Sequence, residues 1–137
     1  MILGIGTDIV DARRIQAAMD RHPNNFVKRI FSDAEIAAAK ESSNQAGYFA
    51  KRFAVKEAVY KALSVSGVSG CGWRDAETLS APNGAPVVNL TGRCKTALET
   101  MTPDGYKAGL SVSLSDEHPY ALAFIVISAA PAEWIKP

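Results

Sequence analysis

The chain has 137 residues, 47% of them hydrophobic and 21% charged, with a formal net charge of +1. That length suits one domain, residues 1–137, with a core of its own, and the composition excludes disordered and fibrous classes. No apolar run reaches the roughly 20 residues of a membrane span. The first apolar run lacks a basic flank and is broken by Asp8, so a signal peptide is not expected and the cytoplasm is the expected compartment.

The small net charge hides an asymmetry. Residues 13–61 hold ten Lys/Arg against five Asp/Glu, and residues 62–137 hold five against seven. A basic first half suits an acidic protein or a phosphate-bearing ligand, while its dispersion argues against nucleic acid. Cys71 and Cys94 have neither metal nor redox spacing and read as reduced, packed thiols. His22 and His118 are isolated, so neither is expected to hold a metal.

Ile2 to Val10 is predicted as a strand, with Leu3, Ile5, Thr7 and Ile9 on one face and Ile2, Gly4, Gly6 and Asp8 on the other. The glycines leave their face open for another backbone or a ligand. Asp8 is either a cap or a cation ligand, and Asp11 is the better cap for the next helix. The Gly4-Gly6 pair lacks the third glycine of a dinucleotide fingerprint. Ala12 to Arg21 is predicted as a short helix, inward at Ile15, Ala18 and Met19, with Arg13, Arg14 and Arg21 outside. Phe26 to Phe31 is a short apolar and basic segment. Ser32-Asp33-Ala34-Glu35 is a capping box opening a helix to about Lys40, and Glu41 to Gly47 reads as a polar loop.

Tyr48 to Leu63 then forms a long helix free of breakers. Phe49, Phe53, Tyr60 and Leu63 make a core stripe at about 100° per residue. Glu57 and Lys61, four apart, share a neighbouring stripe with Ala50 and Ala54. That pair is either a surface ion pair or an acid and an amine beside small side chains, with room for a ligand. Ser64 to Gly72 is a glycine-rich loop without Walker spacing. Glu77–Ser80 and Pro86–Leu90 flank a hairpin turn, and Thr91 caps a helix from Gly92 to Met101. Gly109 to Ser115 alternates, with Leu110, Val112 and Leu114 opposite Ser111, Ser113 and Ser115; the serines are a solvent face or a polar ligand wall. Tyr120 to Ile127 reads as a fully buried strand. The order specifies an α+β domain with one long helix packed on a mostly antiparallel sheet.

Two carboxylates on separate elements, Asp8 and Glu57, suit Mg²⁺, which binds through one or two carboxylates together with waters and substrate phosphates. A lysine one turn on, Lys61, could neutralise phosphate charge or protonate a leaving oxygen. These residues point to phosphoryl-type transfer.

Gly4–Val10 (G-I-G-T-D-I-V) and Arg52–Ala62 (R-F-A-V-K-E-A-V-Y-K-A) resemble the two signature motifs of the short 4′-phosphopantetheinyl transferases, the holo-[acyl-carrier-protein] synthases. The resemblance extends through Asn83–Pro86 and Val112–Ser115 to Tyr120-Ala121. It implies a homotrimer with active sites at subunit interfaces, and transfer of the phosphopantetheine arm of coenzyme A to a serine of apo-acyl-carrier protein, releasing adenosine 3′,5′-bisphosphate, in fatty acid biosynthesis. It further implies that Asp8 and Glu57 bind Mg²⁺, that Lys61 contacts the diphosphate and that Arg52 and Lys56 give electrostatic support, Lys56 lying toward the core stripe. Gly84 and Pro86 would shape the nucleotide pocket, and Arg14 and Arg21 would form the patch for the carrier. Serine deprotonation falls to a metal-bound water or to Glu57. The chain departs from the pattern at Asp116, where many short members carry histidine; His118 is not a replacement. The rival readings are a non-catalytic module for an acidic partner and a Mg²⁺-dependent diphosphate hydrolase.

Overall fold

The structure, a computed structural model, describes residues 1–135. Strand β1 (Ile2–Asp11) leads into helix α1 (Ala12–Arg21), a helical turn α2 (Phe26–Ile30), α3 (Asp33–Lys40) and the 19-residue α4 (Gln45–Leu63). Strands β2 (Ala76–Ser80) and β3 (Pro86–Leu90), helix α5 (Gly92–Met101), and strands β4 (Tyr106–Glu117) and β5 (Tyr120–Pro131) follow. The described strands form a three-stranded sheet in the order β1-β5-β4 and a separate β2-β3 hairpin, all antiparallel. This is an α+β fold with an antiparallel sheet.

Local chemistry accounts for the boundaries. Asp11 caps α1 by accepting from Arg13 N–H at 2.9 Å, and the Ser32–Glu35 box closes with both bonds. α4 begins three residues before the expected start, inside the polar stretch, because the Asn44 carboxamide accepts from Gly47 N–H at 3.0 Å. Thr91 makes no side-chain cap to α5. The loop after α4 opens with a 3₁₀ turn at Ser64–Ser66 and is tied to its surroundings by Tyr60 Oη on Cys71 O and Arg93 Nε on Ser69 O. Cys71 and Cys94 are free thiols.

The faces of the sheet correct two expectations. The glycine face of β1 is not open to a ligand, because α4 lies on it. A Cβ built on Gly6 would sit inside the Ala58 carbonyl oxygen and 2.9 Å from Ala62 N; one on Gly4 would overlap the Ala62 carbonyl. Neither glycine has a positive φ, so the requirement is steric. Ala50, Ala54, Ala58 and Ala62 are completely buried by this packing, and the space expected beside Ala50 and Ala54 is filled. Nor is β5 buried on both faces. Ala121, Ala123, Ile125 and Ile127 face the helix, whereas Leu122 and Phe124 face outward, 39% and 42% exposed. They line up with Ile9 and Thr7 of β1 and with Ser115 and Ser113 of β4, giving an outer sheet face that is apolar at one side and hydroxyl-bearing at the other.

The fit of α4 on β1 is testable with one methyl group. Gly6→Ala should lower stability by about 1–3 kcal/mol, the ordinary range for overpacking, read from the denaturant midpoint. A variant as stable as the parent would mean that α4 has slack above β1.

Candidate functional site

Asp8 follows Gly6 on the helix-facing side of β1, and Glu57 and Lys61 immediately precede Ala58 and Ala62, the residues that touch the glycines. The close packing therefore delivers all three side chains to the margin of β1. Lys61 Nζ donates to Thr7 O at 2.9 Å and to Asp8 Oδ1 at 3.2 Å. Burial pushes the Glu57 carboxyl above its ordinary pKa; the Asp8 carboxylate pushes it further, and Lys61 opposes both. Ionising Glu57 is thus costly beside the Asp8 carboxylate and is eased by the Lys61 ammonium.

These acids open onto a cleft of about 570 Å³ between β1, α1 and α4, lined by Asp8, Arg14, Arg21, Phe26, Phe53 and Glu57. The structure brings four sequence-predicted residues, Asp8, Glu57, Arg14 and Arg21, to this one cleft, with Lys61 attached through Asp8. Among the described residues no group of three or more His, Cys, Asp or Glu side chains could cage a metal. Two carboxylates fit Mg²⁺ nonetheless, since that ion retains waters and takes substrate phosphate oxygens.

Arg52, Gly84 and Pro86 lie elsewhere. Five residues before Glu57, Arg52 is rotated about 140° around α4. It is buried, with its guanidinium 4.0 Å from the Tyr48 ring centroid and Nη2 3.4 Å from Ser80 Oγ; its Nε has no partner. Ser80 pairs with Pro86 across the hairpin, and Gly84 sits in the intervening turn at φ 86°. These residues form a second cluster on the other side of α4.

Lys56 is fully buried and bonded to Glu35, so its position on the core side of the helix is structural. The sequence reading found Glu35 only as a capping-box residue. The missed signal was Lys56 itself, since an amine on a buried face demands a buried acid. Asp116, placed where a histidine was expected, is paired with Lys51 Nζ at 3.6 Å, which offsets its charge; Lys51 was not identified from the sequence.

Residues 4–124 match the model of the 4′-phosphopantetheinyl transferase superfamily. The holo-[acyl-carrier-protein] synthase of Mesorhizobium japonicum is 42% identical over 133 residues, covering 97% of each chain. Among solved structures, the holo-[acyl-carrier-protein] synthase of Neisseria meningitidis superposes with a TM-score of 0.80 at 33% identity, covering 93% of this chain and 99% of that one. The Helicobacter pylori synthase, solved in complex with coenzyme A, gives 0.73 at 31% identity over 90% and 99%. By its motifs, its fold and its near full-length relatives, the chain belongs to the 4′-phosphopantetheinyl transferase superfamily.

Proposed function

We propose that this chain transfers the 4′-phosphopantetheine group of coenzyme A to a serine of apo-acyl-carrier protein, with Mg²⁺, releasing adenosine 3′,5′-bisphosphate. The supporting observation is the set Asp8, Glu57 and Lys61 at one margin of β1, opening on a cleft whose opposite wall carries Arg14 and Arg21. In this reading the carrier serine oxygen forms a bond to the pantetheine-side phosphorus as the bridging oxygen of the diphosphate leaves. Asp8 and Glu57 would hold Mg²⁺, which supplies charge neutralisation to the diphosphate when bound. Lys61, oriented by Thr7 O and Asp8, donates to the leaving phosphate. Glu57, at the same centre, would accept the serine proton. Arg14 and Arg21 receive the acidic carrier at the rim. Arg52, with an unpartnered Nε beside Ser80, and the Gly84–Pro86 turn hold the nucleotide end.

The outer sheet face supports the trimeric assembly that the family resemblance implies. Ile5 and Ile9 are 59% and 60% exposed beside Leu122 and Phe124, a contiguous apolar patch of the kind that marks an interface. Three copies meeting there would form a closed ring. Phe124→Asp should then sediment as a monomer and lose transfer. A fully active monomer would remove the trimer from the reading.

The activity is tested by mass spectrometry of apo-carrier protein after incubation with coenzyme A and Mg²⁺. A gain of one phosphopantetheine group is expected from the parent chain and none from Asp8→Asn or Glu57→Gln. The double variant should be no worse than either single one, as for residues acting as a unit. Nucleotide release without a mass gain would select diphosphate hydrolysis instead, and no reaction would select a non-catalytic module.

The shift at Glu57 has a definite sign. A carboxyl whose pKa is raised on folding contributes stability that is fully present below its unfolded pKa and is lost as pH rises through the folded value. In chelator, Glu57→Gln should therefore melt above the parent at pH 7, with the gap closing below about pH 4.3. Mg²⁺ at pH 7 should raise the parent's Tm and leave that of Glu57→Gln unmoved. A gap of the same size at pH 7 and pH 4 would dismiss the raised pKa that burial, and then Asp8, gives Glu57.

A further inference from the structure

The reaction described above makes no use of the most deeply buried charges in the molecule. Lys56 and Glu35 are both 0% exposed. Lys56 Nζ donates to Glu35 Oε1 at 2.9 Å and to Ala76 O at 2.8 Å. Glu35 Oε2 accepts from Thr78 N–H at 3.0 Å, while its Oε1 also closes the α3 capping box on Ser32 N–H at 2.9 Å. Ala76 and Thr78 both lie in β2, so the two outward bonds of this pair end on one strand of the hairpin. Among the described residues, the other side-chain hydrogen bond between α4 and the hairpin is Arg52 to Ser80.

Stability alone does not explain such a pair. Apolar residues of similar volume often serve as well or better in a core, and the best-attested use of a buried polar pair is to fix register. Here the bonds fix β2 against α3 and α4. Lys56 and Glu57 are consecutive on the same helix, so the register of β2 on Lys56 is also its register relative to Glu57. The far end of the hairpin carries Ser80, Gly84 and Pro86.

We infer that Lys56 and Glu35 are positioning residues that set the spacing between the two ends of the donor site, the Asp8–Glu57 centre on one side of α4 and the β2-β3 hairpin on the other. The inference rests on the transfer reaction proposed above and on the hairpin holding the nucleotide end. A bound donor must satisfy both ends at once, and misplacement by about 1 Å can cost on the order of a hundredfold in rate.

The test compares coenzyme A with its analogue lacking the 3′-phosphate, in the parent chain, in Lys56→Met and in the double variant Lys56→Met/Glu35→Gln. The double variant removes both charges of the pair and retains a capping-box residue, so it secures the test if the single variant does not fold. In folded variants, KM for coenzyme A should rise about tenfold or more. KM for the carrier should stay within about twofold, and the preference for coenzyme A over the analogue should shrink toward one. An unchanged preference in a folded variant overturns the inference, as does a loss of kcat equal for both donors and proportional to the unfolded fraction. A parent chain that transfers but shows no preference also overturns it, because the hairpin would then hold no nucleotide phosphate. A parent chain that transfers nothing defeats the transferase reading itself.

Discussion

Contact between the backbone of α4 and the bare backbone of β1 is the constraint on which the site depends. Helices usually lie on sheets with side chains interleaved between them. At Gly4 and Gly6 one set of side chains is missing, and the Ala58 and Ala62 carbonyls come down onto the strand. Glu57 and Lys61 are the neighbours of those two alanines, so their side chains leave the helix at the level of β1. Lys61 consequently reaches both the Thr7 carbonyl and Asp8. An ordinary residue at position 6 would lift the helix and separate the acids.

α4 is enclosed rather than amphipathic. Its alanine face meets the three-stranded sheet, and its opposite face meets α3, α5 and the hairpin, leaving Glu57, Lys61 and a few others at the margin. A helix enclosed on most sides has few places where polar groups can reach solvent. Burial lowers the Lys56 pKa, and the Glu35 carboxylate counters it, together with a hydrogen bond. Arg52 meets the same enclosure with the Tyr48 ring and Ser80, leaving its Nε unpartnered. The side of the helix that carries Glu57 and Lys61 is its least enclosed side.

Much of this was legible in the sequence because it is written locally. Helix α1, the α3 capping box and the hairpin strands follow from caps, turn residues and periodicity, which act within a few positions. The candidate at position 8 was also legible, since a carboxylate beside glycines at a strand end has few ordinary explanations. Positions 57 and 61 stood out through the motif they share, their spacing alone suiting a surface ion pair equally. The direction of the β1 faces was not. Glycine removes the side chain that would mark a face as buried, so the face of Gly4 and Gly6 read as open to another backbone or a ligand. Likewise β5 reads as continuously apolar whether its second face meets a core or an exposed patch, since composition does not tell the two apart. The Lys56–Glu35 bond spans 21 positions and involves no periodicity at all. Long-range pairing of polar groups leaves no local trace beyond the oddity of each partner.

The strand order has a consequence for how the molecule comes into being. β1 is paired only with β5 in the described sheet, through a register that includes Thr7 Oγ1 on Ala123 O, 116 positions away. Synthesis at about 5–20 residues per second separates those two segments by roughly ten seconds. For that interval Asp8 is carried on a strand without its sheet partner. Helix α4 is made soon after β1 but long before β5, the middle strand of its floor. The candidate site around Asp8 therefore acquires its sheet only when β5 has emerged.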